Sequence, residues 1–192
     1  MDYELGIEGA PDRVPGGAGI LLVHPSTATT DRIDTEFLKR DTDHFLVVST
    51  RTTAREVEQK LEYYDVDEDR AVILDTLSIE RGYQRRSGDR VHYVSAPDHI
   101  DGIVAQIERF LTEHDGKRRI SLDSVTELAY YAGEDEAREG VDRILDLLEA
   151  HDAVGLFHLS AEVHDPETLD AYRDRFDGTI TLSADDEITT EF

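Results

Sequence analysis

Cysteine is absent from the 192 residues, which excludes disulfides, thiolate nucleophiles, zinc ribbons and iron–sulfur ligation. Long apolar runs are also missing: none approaches the roughly 20 residues that span a bilayer. The opening Met1, Asp2, Tyr3 and Glu4 lack the basic start and apolar stretch of a secretory signal. A cytoplasmic protein without a membrane partner is the expectation. Positive charge is scarce, with 20 Lys plus Arg against 44 Asp plus Glu and a formal charge of -24. Neutralising phosphates along a nucleic acid needs clustered cations, so a nucleic-acid face is excluded.

The acid is spread over every segment, and only Lys39, Lys60 and Lys117 represent lysine. Diffuse acid with little lysine is the habit of proteins from salt-saturated cytoplasms, where self-repulsion is screened within about 3 Å. A halophilic source is therefore expected. Apolar residues make up 39% of the chain and recur in regular periods, which separates it from acidic disordered sequences. A chain of this length buries most of its apolar surface in one domain.

From Gly19 onward, short continuous apolar runs alternate with helical stripes. Strands are expected at 19–23, 45–48, 71–74, 91–94, 119–122, 154–159 and 179–182, with a terminal antiparallel strand at 187–192. Between them lie stripes at Ile33, Phe37 and Leu38, at Ala54, Val57, Leu61 and Tyr64, at Ile100 to Leu111, and at Val141, Ile144, Leu145 and Leu148, with a short helix at 166–175. This alternation predicts an α/β fold of three layers, a mostly parallel sheet covered by helices on both faces. Residues 1–18, with Pro11, Pro15, Gly16 and Gly17, read as a lead-in running over the surface of a single domain at 19–192.

Ligands of an open parallel sheet bind outside the carboxyl ends of its strands. Those ends carry His24 and Pro25, then Ser49, Thr50 and Arg51, then Asp75 and Thr76, then Asp123 and Ser124, then Ser160 and Glu162. The order of Gly16-Gly17, the strand and turn from Ile20 to Pro25, Phe45 to Ser49, Ile73 to Asp75, Ile120 to Leu128, Leu156 to Glu162 and Phe176 to Ile180 resembles the RecA-like ATPases, and within them the KaiC-like proteins. The resemblance implies a P-loop NTPase fold with strand order 71–74, 45–48, 119–122, 154–159, 19–23, 179–182.

The phosphate loop departs from that family. It reads His24, Pro25, Ser26, Thr27, Ala28, Thr29, Thr30, Asp31, without glycine. Phosphate cradling needs small flexible residues, a lysine and a metal-binding hydroxyl. Thr30 stands where the resemblance implies the lysine and Asp31 where it implies the Ser or Thr on magnesium. Asp31 reads as a helix cap that sets negative charge against a triphosphate. Thr50 and Arg51 stand where a water-activating Glu is implied. Asp123 matches the acidic residue that binds magnesium through water, and it reads equally as a strand end capping the next helix. Vestigial nucleotide-binding positions are thus His24, Pro25, Thr27, Thr29, Thr30, Asp31, Asp123 and Ser124, with no catalytic residue and no metal ligand assigned.

Other chemistries find little support. His24, Asp123 and His158 would approach one another under the implied strand order, and His158 is close in sequence to His164, yet no HExxH or similar spacing is present. Ser49, Ser124 and Ser160 end strands but none lies in GxSxG. Arg81, Arg85, Arg86 and Arg90 form the one basic concentration, read as a solvated hairpin pairing with neighbouring acids. The expectation is a non-catalytic regulatory or protein-interaction module without a cofactor, compatible with an oligomer, its partners including KaiC-like ATPases. The alternative is a nucleotide-binding protein or weak ATPase that uses ATP and magnesium.

Overall fold

The computed structural model describes residues 1–83 and 86–192. Two short strands, β1 (Asp2–Glu4) and β2 (Arg13–Pro15), pair antiparallel ahead of the main sheet. There follow β3 (Gly19–His24), α1 (Asp31–Lys39), β4 (His44–Ser49), α2 (Ala54–Tyr63), β5 (Ala71–Asp75), β6 (Val91–Tyr93) and α3 (Ile100–Glu113). The chain continues through β7 (Arg118–Asp123), α4 (Val125–Ala132), α5 (Glu134–His151), β8 (Val154–Ser160), α6 (Pro166–Arg173), β9 (Gly178–Leu182) and β10 (Ile188–Glu191).

The eight-stranded sheet runs β10-β9-β3-β8-β7-β4-β5-β6, parallel throughout except for β10 against β9. Its six inner strands follow the order implied by the resemblance to RecA-like proteins. β3, β5 and β8 are buried along their whole length, as strands covered on both faces must be. Their side chains alternate. Leu21, Val23, Leu122 and Phe157 face α3, α4, α5 and α6, whereas Ile20, Leu22, Val47 and Leu156 face α1 and α2. Ile103, Ile107 and Leu148 are buried on that first face, and Leu145 packs against it half-buried. None of the described helices is long and apolar enough to cross a membrane.

The first 18 residues differ from the expected surface-running lead-in. Tyr3, Leu5, Ile7 and Val14 are buried and belong to the core beneath α1 and α2. The Tyr3 hydroxyl donates to the Asp152 carbonyl at 2.8 Å and accepts the Arg118 N–H at 3.2 Å. Gly16 permits the approach, since a Cβ there would stand 2.1 Å from Asp152 Oδ1. Alternation over three-residue strands, interrupted by Pro11 and Pro15, is too short to register as a period. The hairpin also covers the buried Arg119, whose guanidinium lies 5.3 Å from the Tyr3 ring centre and 4.9 Å from that of Phe37.

Candidate functional site at the strand ends

β3, β8, β7 and β4 are neighbours, so His24, Ser160, Asp123 and Ser49 end side by side at one edge of the sheet. The β3–α1 loop closes this mouth. His24 and Thr30 are buried, Pro25 and Asp31 half-buried, and Thr27 and Thr29 exposed at its rim. No residue from 24 to 31 adopts a left-handed φ, whereas an anion nest of consecutive N–H groups alternates right- and left-handed backbone. Two of the loop's donors are already engaged. The Ala28 N–H donates to the Pro25 carbonyl at 3.0 Å, and the Ser26 N–H donates to Glu162 Oε1 at 2.8 Å, joined there by the Ser26 hydroxyl. Thr30, not Asp31, is the N-cap of α1, and it makes no side-chain capping bond. Asp31 is the first helical residue, and with Asp34 it puts two carboxylates into the first turn, where the helix dipole favours them.

Beneath that turn lies a buried polar cluster. Asp34 accepts Lys60 Nζ at 2.8 Å and the Ser121 hydroxyl, and faces His158 Nε2 at 3.4 Å. Lys60 Nζ is also 3.8 Å from Asp31 Oδ1. Burial works to raise the Asp34 pKa, but the Lys60 ammonium and then His158 outweigh it and hold the carboxyl far below the ordinary range. Burial likewise opposes a charge on Lys60, and Asp34 overcomes it and raises the ammonium's pKa. The rings of His24 and His158 meet edge to face with centres 5.5 Å apart.

Arg51 reaches across from the end of β4. Its guanidinium lies 3.5 Å from Asp123 Oδ1 and 3.9 Å from Glu127 Oε1, so a cation of the chain itself stands on Asp123. The 3.5 Å contact is an ion pair without hydrogen-bond geometry, and Asp123 Oδ1 remains unbonded. Asp123 does not cap α4: the N-cap is Ser124, whose N–H donates to Thr50 Oγ1 at 2.7 Å and whose hydroxyl donates to Glu127. Thr50 in turn donates to the Asp123 carbonyl at 2.8 Å, joining the ends of β4 and β7.

Other strand-end residues are structural. Asp75 accepts from the N–H groups of Ala54, Leu77 and Ser78 and from the Ser78 hydroxyl, all within 2.9 Å. His164 sits between Glu134 and Thr126, and Tyr172 donates to the same Glu134, which ties the β8–α6 loop to α4 and α5. Among the described residues no group of three or more His, Asp or Glu is arranged to hold a metal ion. Arg85 lies outside the described residues. Arg81, Arg86 and Arg90 are exposed, and Arg90 is 3.6 Å from Asp69.

Sequence reasoning missed Asp34 and Lys60. The signal was present: each is a charged residue within an apolar helical stripe, Asp34 beside Ile33 and Phe37, Lys60 beside Val57 and Leu61.

Comparison with solved structures places this geometry in a known fold. The KaiC-like protein PH0186 from the hyperthermophilic archaeon Pyrococcus horikoshii OT3 superposes with a TM-score of 0.66 at 15% identity, over 99% of this chain and 85% of that one. An ATPase from the type III secretion system of pathogenic bacteria gives a TM-score of 0.66 at 14% identity, over 96% of this chain and 57% of that one. At such identities the likeness is one of fold, a three-layer RecA-like domain. No curated protein matches the chain. The model of one family matches all of residues 1–192, and the chain belongs to it: the family of unknown function DUF7090.

Proposed function

We propose that the chain is a non-catalytic regulatory or protein-interaction module of the cytoplasm, built on a RecA-like fold, whose partners include KaiC-like ATPases. One observation supports this reading: the loop that the resemblance equates with a phosphate loop is engaged by carboxylates of the chain itself. Glu162 takes the Ser26 N–H, and Asp31 opens α1. The charge of Lys60, the nearest ammonium, is already balanced by Asp34 and Asp31. A nucleotide would have to displace anions from a loop with no nest, which favours contact with proteins over phosphate chemistry. The mouth would then serve as a surface for protein contact.

A second reading, nucleotide binding through unusual contacts, draws on a hollow of about 530 Å³ lined by Pro25, Thr27, Ala28, Thr29, Arg32, Leu182 and Ile188. Calorimetric titration of ATP with magnesium at multimolar KCl separates the two. The first reading expects affinity no better than about millimolar, roughly -4 kcal/mol. Micromolar binding overturns it in favour of the second.

A further inference from the structure

The two buried histidines at the mouth are unexplained by the phosphate loop. His24 Nδ1 lies 2.9 Å from the Pro25 carbonyl, and since a carbonyl only accepts, that nitrogen carries the hydrogen. His158 Nε2 faces the Asp34 carboxylate at 3.4 Å and carries a hydrogen for the same reason. In neutral rings this leaves His24 Nε2 and His158 Nδ1 as bare lone pairs. Both are buried without a hydrogen-bond partner, as is Asp123 Oδ1. The strand pairing brings the end of β7, and Asp123 with it, alongside His158 on the neighbouring β8. The neutral cluster therefore offers acceptors and no donor, an arrangement that buried groups avoid. One proton on His158 Nδ1 supplies the missing donor, through an ordered water. A second would set two imidazolium rings side by side.

We propose that His24 and His158 form a one-proton switch: the pair holds a single proton at neutral to mildly acid pH, locking α1 and the β3–α1 loop onto the sheet, and releases it at alkaline pH.

The charged groups around the pair favour a cation there. Asp34 faces it from α1, Lys60 from α2 with Asp31 behind it, Asp123 from β7, Arg51 from beyond β4, Glu127 of α4 through Arg51, and Glu162 from the loop after β8. The acids outnumber the bases, which favours a proton on the pair, and a second proton is opposed by the first, on a ring whose centre is 5.5 Å away. The two rings also differ in basicity. Burial opposes a charge on His158, but Asp123 and then Asp34 outweigh it and raise its pKa; burial first, with His158 adding to it, lowers that of His24. Relative to unfolded histidines at about 6.5, the raised group stabilises below that pH and loses its contribution as pH rises through its folded pKa. The lowered group stabilises above about 6.5 and costs stability as pH falls below it. The pair together is therefore most stabilising near a pH of about 6.5, where folded and unfolded chains each bind about one proton.

The test is histidine-resolved NMR of the full chain from about pH 5 to 9 at fixed KCl, with hydrogen-exchange protection of α1 measured alongside in the wild type and in His158→Gln. The expected result is protonation of His158 above about 6.5 and of His24 well below it. Wild-type α1 protection should rise as pH falls from about 8.5 to about 6.5, and that rise should vanish in His158→Gln. Both rings titrating together near about 6.5, a His158 that stays neutral to about pH 5.5, or α1 protection indifferent to pH would overturn the proposal. The wild-type titration decides the matter if the variant does not fold.

Discussion

Replacing Lys60 by Met probes the buried charges under α1 most severely. Asp34 is almost fully buried, and Lys60 is the one ammonium bonded to it. Methionine keeps much of the length of the stem and removes the charge, leaving an ionised carboxylate with the Ser121 hydroxyl and His158. Breaking a buried pair from one side costs about 3–5 kcal/mol. For a chain of this size that lowers Tm by about 6–20 °C. Removing both charges, in Lys60→Met with Asp34→Asn, should restore most of the loss, because no uncompensated ion remains. The sign with pH follows from the depressed pKa of Asp34. Its contribution is present above its unfolded value and is lost as pH falls through the folded one, so the gap between wild type and Lys60→Met should narrow below about pH 4. Urea melts of the three proteins between about pH 3.5 and 7 measure this. A single-variant cost below about 1 kcal/mol, or a double variant worse than the single, would refute the reasoning.

Three further outcomes are expected. The midpoint of thermal unfolding should climb from low to multimolar KCl, because repulsion among the 24 excess negative charges is screened beyond about 10 Å at 0.1 M salt and about 3 Å at 1 M; a midpoint independent of KCl would give the acidity another cause. Gly133 joins α4 to α5 at a φ of 95°, with open space where a Cβ would stand, so Gly133→Ala should cost about 1–3 kcal/mol in urea melts from backbone strain alone. Arg119, its pKa lowered to about 10 by burial and two of its nitrogens unpartnered, should tolerate Met with a change within about 1 kcal/mol, while Arg119→Ala loses its packing between Tyr3 and Phe37 and costs about 2 kcal/mol or more in the same assay.

The sheet was legible in the sequence because strands buried on both faces spell continuous apolar runs, as in Ile20 to Val23 and Val154 to Leu159. The order of the inner strands, implied by the resemblance to RecA-like proteins, brought His24, Asp123 and His158 to one edge. The make-up of the β3–α1 loop was legible too, since the absence of glycine and lysine between His24 and Asp31 needs no structure. What the sequence hid is pairing across elements. That Glu162 would turn onto Ser26, Arg51 onto Asp123 and Lys60 onto Asp34 depends on distances between residues up to 136 positions apart. The N-terminal hairpin was hidden for another reason: its three-residue strands carry too little alternation, and Tyr3 is buried by contacts with Arg118 and Asp152.

If carboxylates and cations of the chain itself fill the places of a triphosphate and its metal, the protein should not turn over ATP. Phosphate release from ATP with magnesium, followed at multimolar KCl in the wild type and in Asp123→Ala, decides this. Background release is expected from both proteins. Hydrolysis by the wild type that disappears in Asp123→Ala would show that Asp123 still serves a bound nucleotide, and the non-catalytic reading would fall.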